Sequence, residues 1–153
     1  MKTSELLTIF DIKDIRHLPE AIMSVLMEDI EKRDCIYRQL LQLNNYDLSY
    51  DWFQQLYEEE MSQRKEKKQD FTPQVLGTIA SMICGDNQRS TYEPTAGNGS
   101  MLIADWHNKL SRCYPWDFLP SMNQVECWEL SDRSIPILLL NLSIRGIMGV
   151  VYH

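Results

Sequence analysis

Little in this chain supports metal, redox or membrane chemistry. Its four cysteines, Cys35, Cys84, Cys113 and Cys127, are scattered, with no CxxC pair and none set against a histidine at zinc-ligand spacing. They read as reduced, mostly buried thiols. His17, His107 and His153 are equally isolated, so neither a metal centre nor a histidine-based triad is assigned. No stretch approaches the roughly 18 consecutive apolar residues of a membrane span, and Met1-Lys2-Thr3-Ser4-Glu5 lacks an apolar signal-peptide core. A cytoplasmic protein that stays out of the membrane is expected.

Basic charge is also scarce. With 15 lysines and arginines against 22 acids, the net charge of −7 argues against holding DNA by broad charge neutralisation. The one basic cluster, Arg64-Lys65-Glu66-Lys67-Lys68, is short, contains an acid and reads as a solvated helix end or linker. Any engagement of DNA is therefore expected to be weak or to run through a partner.

Glycine is absent from residues 1–63 and proline occurs there once, at Pro19. Apolar residues recur at helical spacing (Ile22, Leu26, Ile30; Ile36, Leu40, Leu43), which predicts a helical N-terminal region. Pro19 fits a first helical turn, Asn44-Asn45 a break, and a further helix is expected from Tyr50 to about Lys67. Met23, Met27, Trp52, Phe53 and Tyr57 read as core or partner-facing packing rather than a cofactor box.

From Gln69 onward glycine and proline appear and the pattern becomes α/β, so residues 64–153 are expected to form a second region. Thr72-Pro73 predicts a helix cap, with the helix running to about Cys84 and Gly85 ending it. A strand is expected over Ser90–Glu93, a helix over Ser100–Leu110 and a loop over Cys113–Asn123. A second strand over Gln124–Leu130, a helix over Ile135–Ile144 with Asp132 as its cap, and a third strand from Gly149 complete the pattern.

The chemistry centres on Glu93-Pro94-Thr95-Ala96-Gly97-Asn98-Gly99-Ser100, which joins a strand to a helix through two glycines. Such a turn gathers backbone N–H groups and a helix N-terminus at one spot, and the missing side chains let a ligand approach the backbone. The acid at Glu93 disfavours a phosphate and favours a sulfonium or amino group. Glu129, at the end of the next strand, stands where α/β nucleotide folds set a carboxylate against ribose hydroxyls. Together these favour S-adenosylmethionine over ATP.

At these residues the chain resembles the N6-adenine DNA methyltransferases, especially the modification subunits of type I restriction systems and related phage methylases. Gln69-Asp70-Phe71-Thr72-Pro73 resembles the family's FTP segment, which packs over the cofactor's methionine end, and Glu93 to Gly99 resembles its D/E-P-x-x-G-x-G cofactor loop. Glu129 resembles the ribose-binding acid, and Asn141-Leu142 and Gly146-Ile147 the helix after it. The resemblance implies a partial Rossmann-like methyltransferase fold that binds S-adenosylmethionine through Gln69, Phe71, Thr72, Pro73, Glu93, Thr95, Ala96, Gly97, Asn98, Gly99 and Glu129.

The family's catalytic tetrapeptide, D/N-P-P-Y/F, occurs nowhere in the chain, and no acid follows the third strand to contact the adenine. A flipped base must be gripped and held in line with the donor, and no residue here is assigned that work. The expected sheet runs first, second, third strand, leaving the outer edge of the first bare. A bare edge invites a homodimer, a partner chain or a compensating rearrangement. Two functions follow: a methyltransferase-like protein that binds the cofactor but is inactive alone, completed by or acting on a partner, or a phage-type decoy that uses the methylase fold to engage a restriction, defence or replication complex.

Overall fold

In the computed structural model, which describes residues 3–56, 72–85, 90–114 and 116–153, two compact units divide the chain, Met1–Leu48 and Ser49–His153. The first is helical: α1 (Thr3–Ile9), a 3-10 turn (Ile15–His17), α2 (Leu18–Met27) and α3 (Ile30–Leu43). Pro19 lies in the first turn of α2, where its missing N–H costs nothing. The helical spacing from Ile22 to Ile30 is interrupted by Asp29, whose carboxylate accepts the Lys32 N–H (3.1 Å) and caps α3. Ile22 and Leu40 are buried, whereas Met27 and Ile30, beside the break, are exposed rather than packed. The helix ends at Leu43, and Asn45 and Tyr46 adopt positive φ.

The second unit is mixed α/β. Its elements are α4 (Gln74–Cys84), β1 (Ser90–Glu93), α5 (Ser100–Leu110), β2 (Gln124–Trp128), α6 (Ser134–Ile144) and β3 (Gly149–Tyr152). The three strands form one parallel sheet in the order β1-β2-β3, in register Thr91 with Val125 and Val125 with Gly149. That is the order expected from the sequence. Glycine is required at 149, where a Cβ would stand 2.1 Å from the Val125 carbonyl oxygen.

Among the described residues the sheet is covered on one face. Val125, Cys127 and Val151 pack with Leu102 of α5 and Leu138 and Leu142 of α6 in a single apolar cluster, so both connecting helices lie on the same side. Two successive crossovers of the same hand running in one direction produce this. On the opposite face Tyr92, Trp128, Val150 and Tyr152 are exposed, with the Trp128 and Tyr152 rings stacked at 4.6 Å. Glu126 stands among them, in register with Tyr92 and Val150.

Helix α4 packs closely on α5, with Gly77 so near that a Cβ there would lie 2.8 Å from the Ala104 Cβ. A half-buried polar knot ties both helices to β1. Asp105 accepts from Ser81 (2.7 Å) and Thr91 (2.6 Å), and Lys109 reaches both Asp105 (2.8 Å) and Thr91 (2.9 Å). Burial raises the Asp105 carboxyl, but the bonds from Lys109, Thr91 and Ser81 outweigh it and hold the group below the ordinary carboxylate range.

Three sequence expectations are corrected. Cys35, Cys84 and Cys113 are exposed and only Cys127 is buried, because the first three fall on or just past helices with open faces. The expected cap of α4 is met at Pro73, which makes no side-chain bond. Asp132 does not cap α6: Ser131 Oγ accepts the Ser134 N–H (3.3 Å), while the Asp132 carboxylate meets His153 (3.2 Å). Segment Ser49–Leu56, read with the helical region, bonds within the second unit, as when Gln74 donates to the Ser49 carbonyl (2.7 Å). The expected helix beyond Leu56, Tyr57 and the Arg64–Lys68 cluster lie outside the described residues. Among the described residues no helix is long and apolar enough to cross a membrane.

Candidate functional site

At the C-terminal ends of β1 and β2 the chain makes two turns that face one another. The first, Pro94–Gly99, is possible because Gly97 (φ +55°) and Gly99 (φ +91°) take the left-handed region. At Gly99 space is also short, since a Cβ would lie 2.9 Å from Leu138 Cδ1. The Ala96 N–H donates to the Trp128 carbonyl (2.9 Å) and the Gly99 N–H to the Ala96 carbonyl (2.8 Å), which fixes the turn at the mouth of α5.

Glu129 follows β2 directly and continues its pairing through its own N–H to the Tyr152 carbonyl (3.0 Å). Its carboxylate bridges the two turns: Oε2 accepts the Gly97 N–H (2.7 Å) and Oε1 the Ser131 N–H (2.7 Å). Glu93, on the covered face of β1, accepts the Thr95 N–H (3.2 Å) and hydroxyl (3.3 Å). Beneath them the buried Cys127 thiol is pushed up to about 11 by burial first, then by Glu93 and Glu129.

Between the turns lies a cavity of about 420 Å³. Of the residues expected to bind a ligand, Thr72, Thr95, Ala96, Gly97, Asn98 and Glu129 line it. Pro73, Glu93 and Gly99 do not: they shape it from behind, Pro73 at the start of α4, Glu93 by holding Thr95, and Gly99 as the N-cap of α5. Gln69 and Phe71 lie outside the described residues. The lining also takes in Pro94, Ser100 and Met101 from the loop and Trp128, Leu130 and Ser134 from the β2 side. The residues flanking Glu129 were legible as neighbours of the acid but carry no motif. Leu130 is 89% exposed, an apolar wall open to a ligand.

Among the described residues the lining carries one carboxylate and no basic side chain. A triphosphate would meet like charge at Glu129 with no cation among the described lining residues to offset it, whereas a cationic or hydroxyl-bearing ligand would meet an acceptor there. Among the described residues no group of three potential ligands could hold a metal ion.

Behind the loop, Asp51, Asn98, Asn141 and Arg145 are all buried. Asn141 was noted only as part of the helix after the acid, and Asp51 and Arg145 carry no motif. Burial pushes the Asp51 carboxyl above its ordinary value, against hydrogen bonds from Phe53, Asn141 and Ser100 and the charge of Arg145.

No protein-family model matches the chain, and no curated protein matches its sequence. The site's meaning rests on its own geometry.

Proposed function

We propose that this protein binds S-adenosylmethionine between the Pro94–Gly99 turn and Glu129, and that it is a DNA adenine methyltransferase-like protein, inactive alone, completed by or acting on a partner chain. On this reading Ser49–His153 holds part of a Rossmann-like methyltransferase fold, and a cytoplasmic location goes with it. One observation carries the proposal: the Glu129 carboxylate, at the end of β2, meets the Gly97 N–H at 2.7 Å in a cavity whose described lining holds no cation. There it can accept both ribose hydroxyls, while Leu130 and Trp128 offer apolar surface to a base and the acidic surroundings suit a sulfonium. No D/N-P-P-Y/F tetrapeptide occurs among these residues, and on this reading the chain binds the cofactor without turnover.

Calorimetry of the purified chain with S-adenosylmethionine tests this, with ATP as the comparison ligand. Micromolar binding of the first and none of the second is expected, with Glu129→Ala lowering affinity about tenfold or more, as loss of charge-assisted hydrogen bonds does. A well-folded chain that takes up neither ligand overturns the proposal.

A second reading, a non-enzymatic interaction protein that uses the same fold to engage a restriction, defence or replication complex, is favoured by the uncovered sheet face. Parallel sheets are ordinarily covered on both sides, and here the outer edge of β1 is also unpaired among the described residues. A homodimer or a complementing chain seated there answers both features. Solution mass measured with the calorimetry separates the readings: a dimer that binds no cofactor supports the second.

A further inference from the structure

The glycine loop is held from behind by side chains that touch no part of the cavity. Asn141 of α6, fully buried, donates through Nδ2 to Asp51 Oδ1 (2.9 Å) and to the Asn98 carbonyl (2.8 Å). Asp51 Oδ2 accepts from the Ser100 hydroxyl at 3.3 Å. One carboxylate thus reaches both residues that flank Gly99, Asn98 through Asn141 and Ser100 directly.

Arg145, one turn further along α6, fixes the orientation of Asn141. Its Nη1 donates to Asn141 Oδ1 (2.9 Å) and to the Asn141 carbonyl (3.0 Å), so Nδ2 must face Asp51 and the loop. Its Nη2 donates to the Tyr50 carbonyl (2.6 Å), and its guanidinium lies 4.9 Å from the centre of the Trp52 ring. The Phe53 N–H closes the set on Asp51 Oδ1 (3.0 Å). Asn98, 2% exposed, keeps both of its own amide atoms buried without a protein partner, so the tie on this residue runs through its carbonyl.

We infer that Asp51, Asn141 and Arg145 form a positioning network that sets the Gly97–Ser100 geometry, and with it ligand affinity, without contacting the ligand. A buried charged set adds little net stability over well-packed apolar side chains, yet removing one member leaves the others unpaired. Its directional bonds act on a turn whose two glycines leave the backbone few side-chain restraints of its own. The affinity part rests on the cofactor proposal above; the loop-ordering part does not.

Amide hydrogen exchange by NMR on the whole chain tests it, with β2 amides as the internal reference and S-adenosylmethionine calorimetry alongside. Asn141→Ala is expected to speed exchange at Gly97 and Gly99 about tenfold or more beyond any change at Val125 and Cys127, and to weaken binding by a similar factor. Asp51→Asn keeps the shape and one acceptor oxygen, and should restrain the loop more than Asp51→Ala does. Equal acceleration of loop and strand amides, or an unaltered loop, overturns the network. Where Asn141→Ala does not fold, Ser100→Ala removes a single tie and must still loosen the loop selectively. If the wild type takes up no S-adenosylmethionine, the cofactor proposal fails while the exchange comparison still decides the network.

Discussion

The two faces of the three-stranded sheet are built from the same strands and live in opposite environments. Val125, Cys127 and Val151 point into the cluster with Leu102, Leu138 and Leu142, while their neighbours Tyr92, Trp128, Val150 and Tyr152 stand exposed. Burial on the first face stabilises the sheet, while on the second face the apolar side chains are left exposed around Glu126. The difference separates what holds the unit together from what it has left to offer another surface.

The largest break in this contrast comes from the covered side. Leu138→Ala opens a cavity above the strands and is expected to cost about 2–5 kcal/mol in urea denaturation, the range for a fully buried leucine. Because Leu138 also backs Gly99, looser ligand binding should accompany it.

Next is the knot that ties β1 to α4 and α5. Asp105→Asn leaves Lys109 without its carboxylate partner and should cost about 1–3 kcal/mol at neutral pH. The folded carboxyl lies below its ordinary 3.8, so its contribution is complete above that value and is lost as pH falls through the lowered one. The acid limb of the stability curve should flatten in the variant; an unchanged limb would show that other groups control it.

Cysteine reactivity gives a smaller and sharper reading. Cys35, Cys84 and Cys113 should react quickly with a thiol reagent under native conditions, and Cys127 only on unfolding. The unfolded thiol ionises around its ordinary 9.0 while the folded one stays neutral to about 11. Its stabilising effect is therefore whole below 9.0 and is lost as pH rises to about 11. Four thiols reacting at one rate would contradict the covered face.

The smallest effect belongs to the bare face. Val150→Thr should change monomer stability by no more than about 0.5 kcal/mol, as surface substitutions do. Tyr92→Lys sharpens the comparison, because it should dissociate any homodimer seated on this face, read as a drop in solution mass. A dimer that survives it uses another surface.

Much of the second unit was legible because local rules and tertiary packing agree there. Glycine between apolar runs marked the turn at Gly97 and Gly99, and the run Gln124–Trp128 is a strand. The misses have a common cause. Asp132 is a good capping residue type, but Arg133 holds the N-cap position and the Ser131 hydroxyl takes the Ser134 N–H. Asp29 was passed over because the apolar spacing ran straight through it. Asp51 and Asn141 lie 90 residues apart and, with Arg145, share no motif, so nothing local announces their contact.

By itself the sequence determined the element order, the two-glycine turn and the acid after β2, since these depend on backbone conformations and periodicities that neighbouring residues impose. Only the tertiary structure decided that Glu129 grips the Gly97 N–H, that Asn141 holds the loop from behind, and that one sheet face is left open. Each of those is a through-space arrangement, set by which surfaces a closed core brings together and which it leaves to water.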